Sequence, residues 1–134
     1  MAGSIDTFVA DASFVLASLL PDEESPESDE IIGQYLDGEL ELTSSDIFNL
    51  EVLNGLISAQ LSKRITKTEC YDLAERFIKL RINCEDIDNY KTFLISQETG
   101  LSVYDASYVW LARSKNVPLL SLDRRMKKLA AKNK

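Results

Sequence analysis

Thr7-Phe8-Val9-Ala10-Asp11-Ala12-Ser13 is the stretch on which the fold turns. Its first four residues are apolar or β-branched, a short run of the kind a buried strand needs. Asp11-Ala12-Ser13 ends the run, and Phe14 to Leu20 continue as a helix until Pro21. A strand that leads into a helix rather than a tight turn opens a βα unit.

The rest of the chain extends that pattern. Ile31, Ile32, Tyr35 and Leu36 fall at helical spacing over Ser28 to Leu36, with Gly38 closing the segment. Glu39 to Thr43 alternates as a second strand. Ser44-Ser45-Asp46 reads as a helix start, for a helix from about Asp46 to Lys63 with Leu50, Leu53, Ile57 and Leu61 on one stripe. Another helix covers Lys67 to Leu80 through Leu73, Ala74, Phe77 and Ile78, and Arg81 to Cys84 is a short strand. Asp86 to Glu98 is helical until Gly100 stops it as a left-handed cap. Ser102 opens a helix to Lys115, Val117 to Leu122 is a strand, and Arg124 to Lys132 a terminal helix. Strands alternating with helices, none joined by two-residue turns, predict an α/β fold. The expected architecture is one domain over residues 1–134, a central parallel sheet of four or five short strands wrapped by helices. Residues 1–5 read as a flexible N-terminus and 21–28 as an acidic loop.

A length of 134 residues suits one core. No apolar run approaches the roughly 20 residues that span a bilayer. No basic residues lead the N-terminal stretch and Asp11 interrupts it, unlike a secretion signal. These features predict a cytoplasmic protein without membrane contact. Cys70 and Cys84 have no C-x-x-C spacing and are expected as reduced, structural thiols. The chain contains no histidine, which excludes Ser-His-Asp and Cys-His nucleophiles in their usual forms and most zinc sites. Chemistry here must run on carboxylates, hydroxyls, Lys or Arg, or a metal held by oxygen.

Net charge is −7, unusual for a protein that handles nucleic acid. Its distribution matters more. Asp22 to Glu30 (DEESPESDE) holds six acids and no base, so the remainder carries only −1. From Arg113 to Lys134 there are eight basic residues and one acid, Asp123. Surface solvation accounts for either cluster equally well.

In open α/β sheets ligands collect beyond the carboxyl ends of strands. Asp11 follows the first strand and Asp123 the last. Asp105 lies in the first turn of a helix, and Glu51 about one and a half turns into another. Acids at one edge repel unless a cation neutralises them, and Mg²⁺ or Mn²⁺ prefers such ligands. Each also has a plain structural reading. Asp11 and Asp123 could cap the helices that follow them, and Ser102-x-x-Asp105 resembles a capping box. Glu51 sits too deep on this reading to cap anything, and Gly55 one turn on leaves room beside it. Tyr104, Tyr108 and Trp110, at helical spacing, are expected as core or dimer contacts rather than base-stacking platforms.

Four segments resemble the PIN-domain family, and within it the VapC-type toxin ribonucleases. They are Phe8-Val9-Ala10-Asp11-Ala12-Ser13, Asn49-Leu50-Glu51-Val52-Leu53-Asn54, Leu101-Ser102-Val103-Tyr104-Asp105-Ala106 and Pro118-Leu119-Leu120-Ser121-Leu122-Asp123. Each is short, and their order and spacing make them specific together. The resemblance implies an endoribonuclease in which Asp11, Glu51, Asp105 and Asp123 hold Mg²⁺ or Mn²⁺. Ser13 and Ser121 match supporting hydroxyls. It also implies hydrolysis of RNA phosphodiesters by a metal-activated water, a homodimer, and a small antitoxin partner. Alternatives are an RNA-processing nuclease outside toxin–antitoxin systems and a catalytically silent interaction module of the same fold. Aspartyl-phosphate enzymes fit less well, since the acid of D-x-D-x-T is replaced by Ser13.

Overall fold

A computed structural model describes residues 5–132. Most of the expected flexible N-terminus, residues 1–4, lies outside them. The element order is β1 (Thr7–Ala10), α1 (Ala12–Leu19), α2 (Pro26–Leu36), β2 (Glu41–Ser45), α3 (Phe48–Leu61), α4 (Lys67–Leu80), β3 (Asn83–Glu85), α5 (Asn89–Thr99), α6 (Val103–Lys115), β4 (Leu119–Leu120) and α7 (Arg124–Ala131). All strand pairs are parallel, in the order β3-β2-β1-β4. The chain builds outward from β1 through β2 to β3, then returns to place β4 on the other side of β1. The order therefore reverses between β1 and β4, a topological switch point of the kind where α/β proteins bind ligands.

Burial explains why these strands are short and central. Val9 and Ala10 are fully buried, and Leu42 and Leu119 nearly so. Helices α1, α3 and α4 pack successively on one another, while α6 packs on β1, β2 and β4 and carries α5 and α7 beside it. Phe14, Val15, Phe48, Val52, Leu56, Tyr108 and Leu111 fill the interior. Phe48 meets Phe77 edge to face with centroids 5.6 Å apart, a favourable aromatic geometry.

Several sequence expectations shift in register. Helix α2 starts at Pro26, so the acidic loop is shorter than residues 21–28. Ser25 caps it by accepting from the Ser28 N–H, Pro26 sits in the first turn, and Glu27 and Asp29 complement the helix dipole. Strand β2 is displaced to Glu41–Ser45, which absorbs the Ser44-Ser45 pair read as a helix start. Their hydroxyls serve tertiary contacts instead: Ser44 Oγ donates to the Ala10 carbonyl of β1 at 2.6 Å, and Ser45 Oγ accepts from Ser107 Oγ of α6 at 3.1 Å. Helix α3 then begins at Phe48 behind Ile47, without a side-chain cap. Its buried positions are Phe48, Val52, Leu56 and Ala59, whereas Leu50, Ile57 and Leu61 of the expected stripe are exposed. The stripe was a real apolar face, but the outer one. Arg81 ends α4 in the left-handed region, which delays β3 to Asn83, and Asp88 caps α5 three residues later than expected. Gly100 does end α5 at φ +78°.

Candidate active site

Asp11 stands where β1 leaves the sheet at the switch point, and it is buried. Its backbone N–H bonds the Leu120 carbonyl at 3.0 Å, so β4 fixes its position. Its carboxylate caps α1 by accepting from the Phe14 N–H at 3.0 Å. Ser13 Oγ donates to the same oxygen at 2.7 Å, and Ser121 Oγ donates to the other. Both serines also accept: Ser13 Oγ from the Leu122 N–H at 3.2 Å and Ser121 Oγ from the Asp123 N–H at 3.0 Å. The two hydroxyls thus tie the β1–α1 junction to the β4–α7 junction around one carboxylate.

Asp123 is exposed and caps α7 through its Oδ1, which accepts from the Arg125 and Met126 N–H groups at 2.9 and 3.1 Å. Asp105, half-buried, lies in the first turn of α6 behind its cap Ser102, whose Oγ accepts from the Asp105 N–H at 3.0 Å. Capping is therefore real at Asp11 and Asp123, and Ser121 links the first carboxylate to the backbone of the second residue.

Glu51 differs from expectation in two respects. Because α3 begins at Phe48, Glu51 falls in its first turn rather than one and a half turns in. Its carboxylate has a firm partner, since Tyr108 Oη donates to Oε1 at 2.6 Å. Gly55 serves another purpose than expected. A Cβ there would come within 2.4 Å of Leu16 Cδ1, so the missing side chain lets α3 approach α1.

Charge interactions show which acids are neighbours. Asp11, Glu51 and Asp105 all hold their protons more tightly than free carboxyls, chiefly because burial penalises the charged form. The Asp105 charge adds to the rise at Asp11; those of Asp105 and Asp11 add at Glu51; and that of Asp123 adds at Asp105. Asp11, Glu51 and Asp105 thus feel one another's charge, and Asp123 acts on Asp105. None of the three ion pairs among the described residues reaches any of the four.

The donor set is entirely hard carboxylate and hydroxyl oxygen, and no ion pair among the described residues reaches it, so in chemical type it fits Mg²⁺ or Mn²⁺. Among the described residues no group of three or more acidic or thiol side chains stands preassembled around a metal-sized space. Much of the Asp11 carboxylate's capacity is already engaged by Ser13, Ser121 and Phe14. An open shallow cavity of about 320 Å³ is lined by Ile47, Leu50, Glu51, Asn54 and Tyr104, and so includes Glu51 alone of the four acids.

Sequence reasoning missed Tyr108 as part of this site, along with Ser45 and Ser107 behind it. The available signal was the Asp105-x-x-Tyr108 spacing, which puts both on one side of α6.

A parallel sheet with Asp11 at its switch point, closed by a capped C-terminal helix, defines a single α/β domain with a carboxylate where such folds bind ligands. The PIN domain family model matches residues 8–132, and the chain belongs to that family. Ribonuclease VapC3 of Pyrobaculum aerophilum is 29% identical over 122 residues, spanning 88% of this chain and 90% of that protein. Among solved structures, PAE2754 from Pyrobaculum aerophilum has a TM-score of 0.72 at 18% identity, covering 93% of this chain and 79% of that one. The Mycobacterium tuberculosis toxin VapC20, which cleaves the sarcin–ricin loop, has a TM-score of 0.60 at 13% identity, covering 90% and 93%. At those identities the two structures speak for the fold alone.

Proposed function

We propose that the chain is a metal-dependent endoribonuclease, the toxin of a toxin–antitoxin pair, with Asp11, Glu51, Asp105 and Asp123 as its catalytic acids. What supports this reading is the repulsion that links Asp11, Glu51 and Asp105, and Asp105 with Asp123, while no ion pair among the described residues reaches any of the four. The name of the VapC3 relative, a ribonuclease, supports the same reaction class.

The four carboxylates would hold Mg²⁺ or Mn²⁺. When bound, the ion supplies Lewis acidity at the phosphodiester and promotes ionisation of a water. Ser13 and Ser121 hold the Asp11 carboxylate at the β1–α1 junction, where it also caps α1. Asp123 and Asp105 are held by helix termini, which makes their positions rigid before any ligand arrives. No side chain of the chain forms a covalent intermediate in this reading.

Helix α7 supplies the opposite charge for the RNA. Arg124, Arg125, Lys127 and Lys128 are exposed, and none takes part in an ion pair among the described residues. Beginning at Asp123, the helix extends this basic surface from the acids outward, suited to phosphates flanking a cut site. Exposed Leu50, Ile57, Leu61, Val103 and Tyr104 on α3 and α6 support a homodimer. A short antitoxin protein belongs to the reading as the partner that silences the enzyme, and co-purification of such a protein is its check. Among the described residues no helix is long and apolar enough to cross a membrane, consistent with action on cytoplasmic RNA.

The deciding test is cleavage of total cellular RNA by purified protein. Cutting is expected with Mg²⁺ or Mn²⁺ and not in excess chelator. Undiminished cutting in chelator would overturn the mechanism.

A further inference from the structure

Tyr108 is 1% exposed and among the largest fully buried side chains of the protein. A phenol that deep in a core must find a partner for its hydroxyl, because an unpaired buried donor is costly. Backbone carbonyls would satisfy it cheaply. The structure instead gives it the carboxylate of Glu51, fifty-seven residues earlier and on another helix, at 2.6 Å. This short distance is that of an O–H donated to a charged oxygen.

Other hydroxyls surround the phenol. Ser45, at the end of β2 and fully buried, lies against the Tyr108 oxygen. Ser107 Oγ is within 3.1 Å of Ser45 Oγ, and donates to the Tyr104 carbonyl at 2.6 Å. These links run from the sheet and α6 to α3. Glu51 has three side-chain torsions and stands half-buried among like charges, from Asp11 and Asp105. Left free, its carboxylate would turn outward, where repulsion is weaker and water is available.

We propose that Tyr108 is a positioning residue that holds the Glu51 carboxylate at the acidic centre against that repulsion, with Ser45 and Ser107 steadying the phenol. The proposal rests on the nuclease reading above and adds a residue to it. Tyr108 touches neither RNA nor reacting atoms and acts through Glu51. A purely structural Tyr108 would fill the core with its ring and borrow Glu51 only to satisfy its hydroxyl.

Tyr108→Phe separates the two, because it keeps the ring and removes only the hydroxyl. Mn²⁺ binding by the intact protein, followed by electron paramagnetic resonance, is the first measurement; cleavage kinetics on an RNA the wild type cuts is the second. Losing a hydrogen-bond partner behind a metal-binding carboxylate typically costs about 10–100-fold in metal affinity or activity. The expected result is a loss of that size in Mn²⁺ affinity and in kcat, with KM for RNA little changed. Ser45→Ala should show a smaller loss in the same direction, and it keeps the question open to experiment if Tyr108→Phe fails to fold. Glu51→Ala combined with Tyr108→Phe should be no worse than Glu51→Ala alone, since the tyrosine acts through the glutamate. Wild-type Mn²⁺ affinity and kcat in folded Tyr108→Phe, or full additivity in the double variant, would overturn the proposal. Absence of metal-dependent cutting by the wild-type protein would instead overturn the nuclease reading.

Discussion

Acids just beyond α1 and acids at the carboxyl edge of the sheet meet opposite electrostatic conditions. Asp22 and Glu23 lie beside Arg64, whose Nε and a terminal nitrogen bond Asp22 at 2.8 and 2.9 Å, with Glu23 at 3.1 Å. The Asp22 carboxyl is held below its ordinary range by the Arg64 hydrogen bond. Asp11, Glu51 and Asp105 are instead pushed above theirs by burial, with mutual repulsion adding to the rise. The contrast teaches that density of acids along the chain is a poor guide to chemistry. DEESPESDE is the most acidic stretch, and its charge meets solvent, helix caps and an arginine. Asp11, Glu51 and Asp105, far apart along the chain, feel one another's charge and have no ion-pair partner among the described residues.

The largest effect should come from removing one of those acids. Asp11→Asn keeps the shape of the side chain and removes its charge, so the fold should persist while metal-dependent cleavage falls by on the order of 100-fold or more. That scale follows from several kcal/mol of charge stabilisation supplied by a bound metal. Rates at saturating Mn²⁺, with circular dichroism as the control for folding, check it. A fully active Asp11→Asn protein would erase the difference between the two regions.

The next effect concerns stability without metal, and its sign opposes the effect on activity. A carboxyl whose pKa is raised on folding binds its proton more readily in the folded chain, so its charged form costs stability at neutral pH. That cost is relieved as pH falls from neutrality through the raised pKa values. Asp22 and Glu85, whose pKa values are lowered, behave oppositely and lose their contributions as pH falls further. Asp105→Asn should therefore raise the metal-free midpoint at pH 7 slightly, because water screens the repulsion at this half-exposed carboxylate. The gain should shrink as pH is lowered. Thermal melts in chelator across that range measure it, and an Asp105→Asn protein less stable than wild type at pH 7 would show that the cluster is not frustrated.

Most of the fold was legible because its signals are local. Thr7–Ala10 reads as a strand by composition, Gly100 as a stop by its freedom at positive φ, and Asp11 and Asp123 as caps by position. The errors arose where tertiary packing chose between equivalent local readings. Two apolar stripes run along α3, and only contact with α1 and α4 selects Val52 and Leu56 over Leu50 and Ile57. Ser44 and Ser45 are good capping residues, yet hydroxyls are equally suited to a bond across the sheet, as at Ser44, or from sheet to helix, as at Ser45. Gly55 could not be understood without Leu16, which is thirty-nine residues away. The four acids stand out in the sequence as candidates through the family resemblance, whereas the Tyr108–Glu51 bond joins helices that are distant in sequence.

A smaller effect belongs to α7. If Arg124, Lys127 and Lys128 meet phosphates, replacing each by Ala should weaken RNA binding and flatten its salt dependence by about 0.7 in log–log slope per lost contact to single-stranded RNA. Binding titrations at several salt concentrations, using the Asp11→Asn protein to prevent cutting, provide the slopes. Unchanged slopes would remove α7 from the RNA path and leave its charge to solvation.

The smallest effect is expected where the acids are already paired. Arg64 and its partners are exposed, with side-chain accessibilities of 40%, 44% and 32% for Arg64, Asp22 and Glu23, so water and salt screen their attraction. Arg64→Ala frees two carboxylates that water can solvate at once, unlike the acids at the switch point. Cleavage rate and Mn²⁺ affinity should match wild type, and any drop in melting midpoint should be slight. What identifies that drop as electrostatic is its salt dependence. Near 1 M salt the screening length is about 3 Å, comparable to the ion-pair distances, so the difference between variant and wild type should fade there. A deficit that survives high salt would mean that Arg64 holds the junction of α3 and α4 by packing of its aliphatic stem. A large loss of cleavage would couple the acidic loop to the active site, and the two acidic regions would then have to be treated as one.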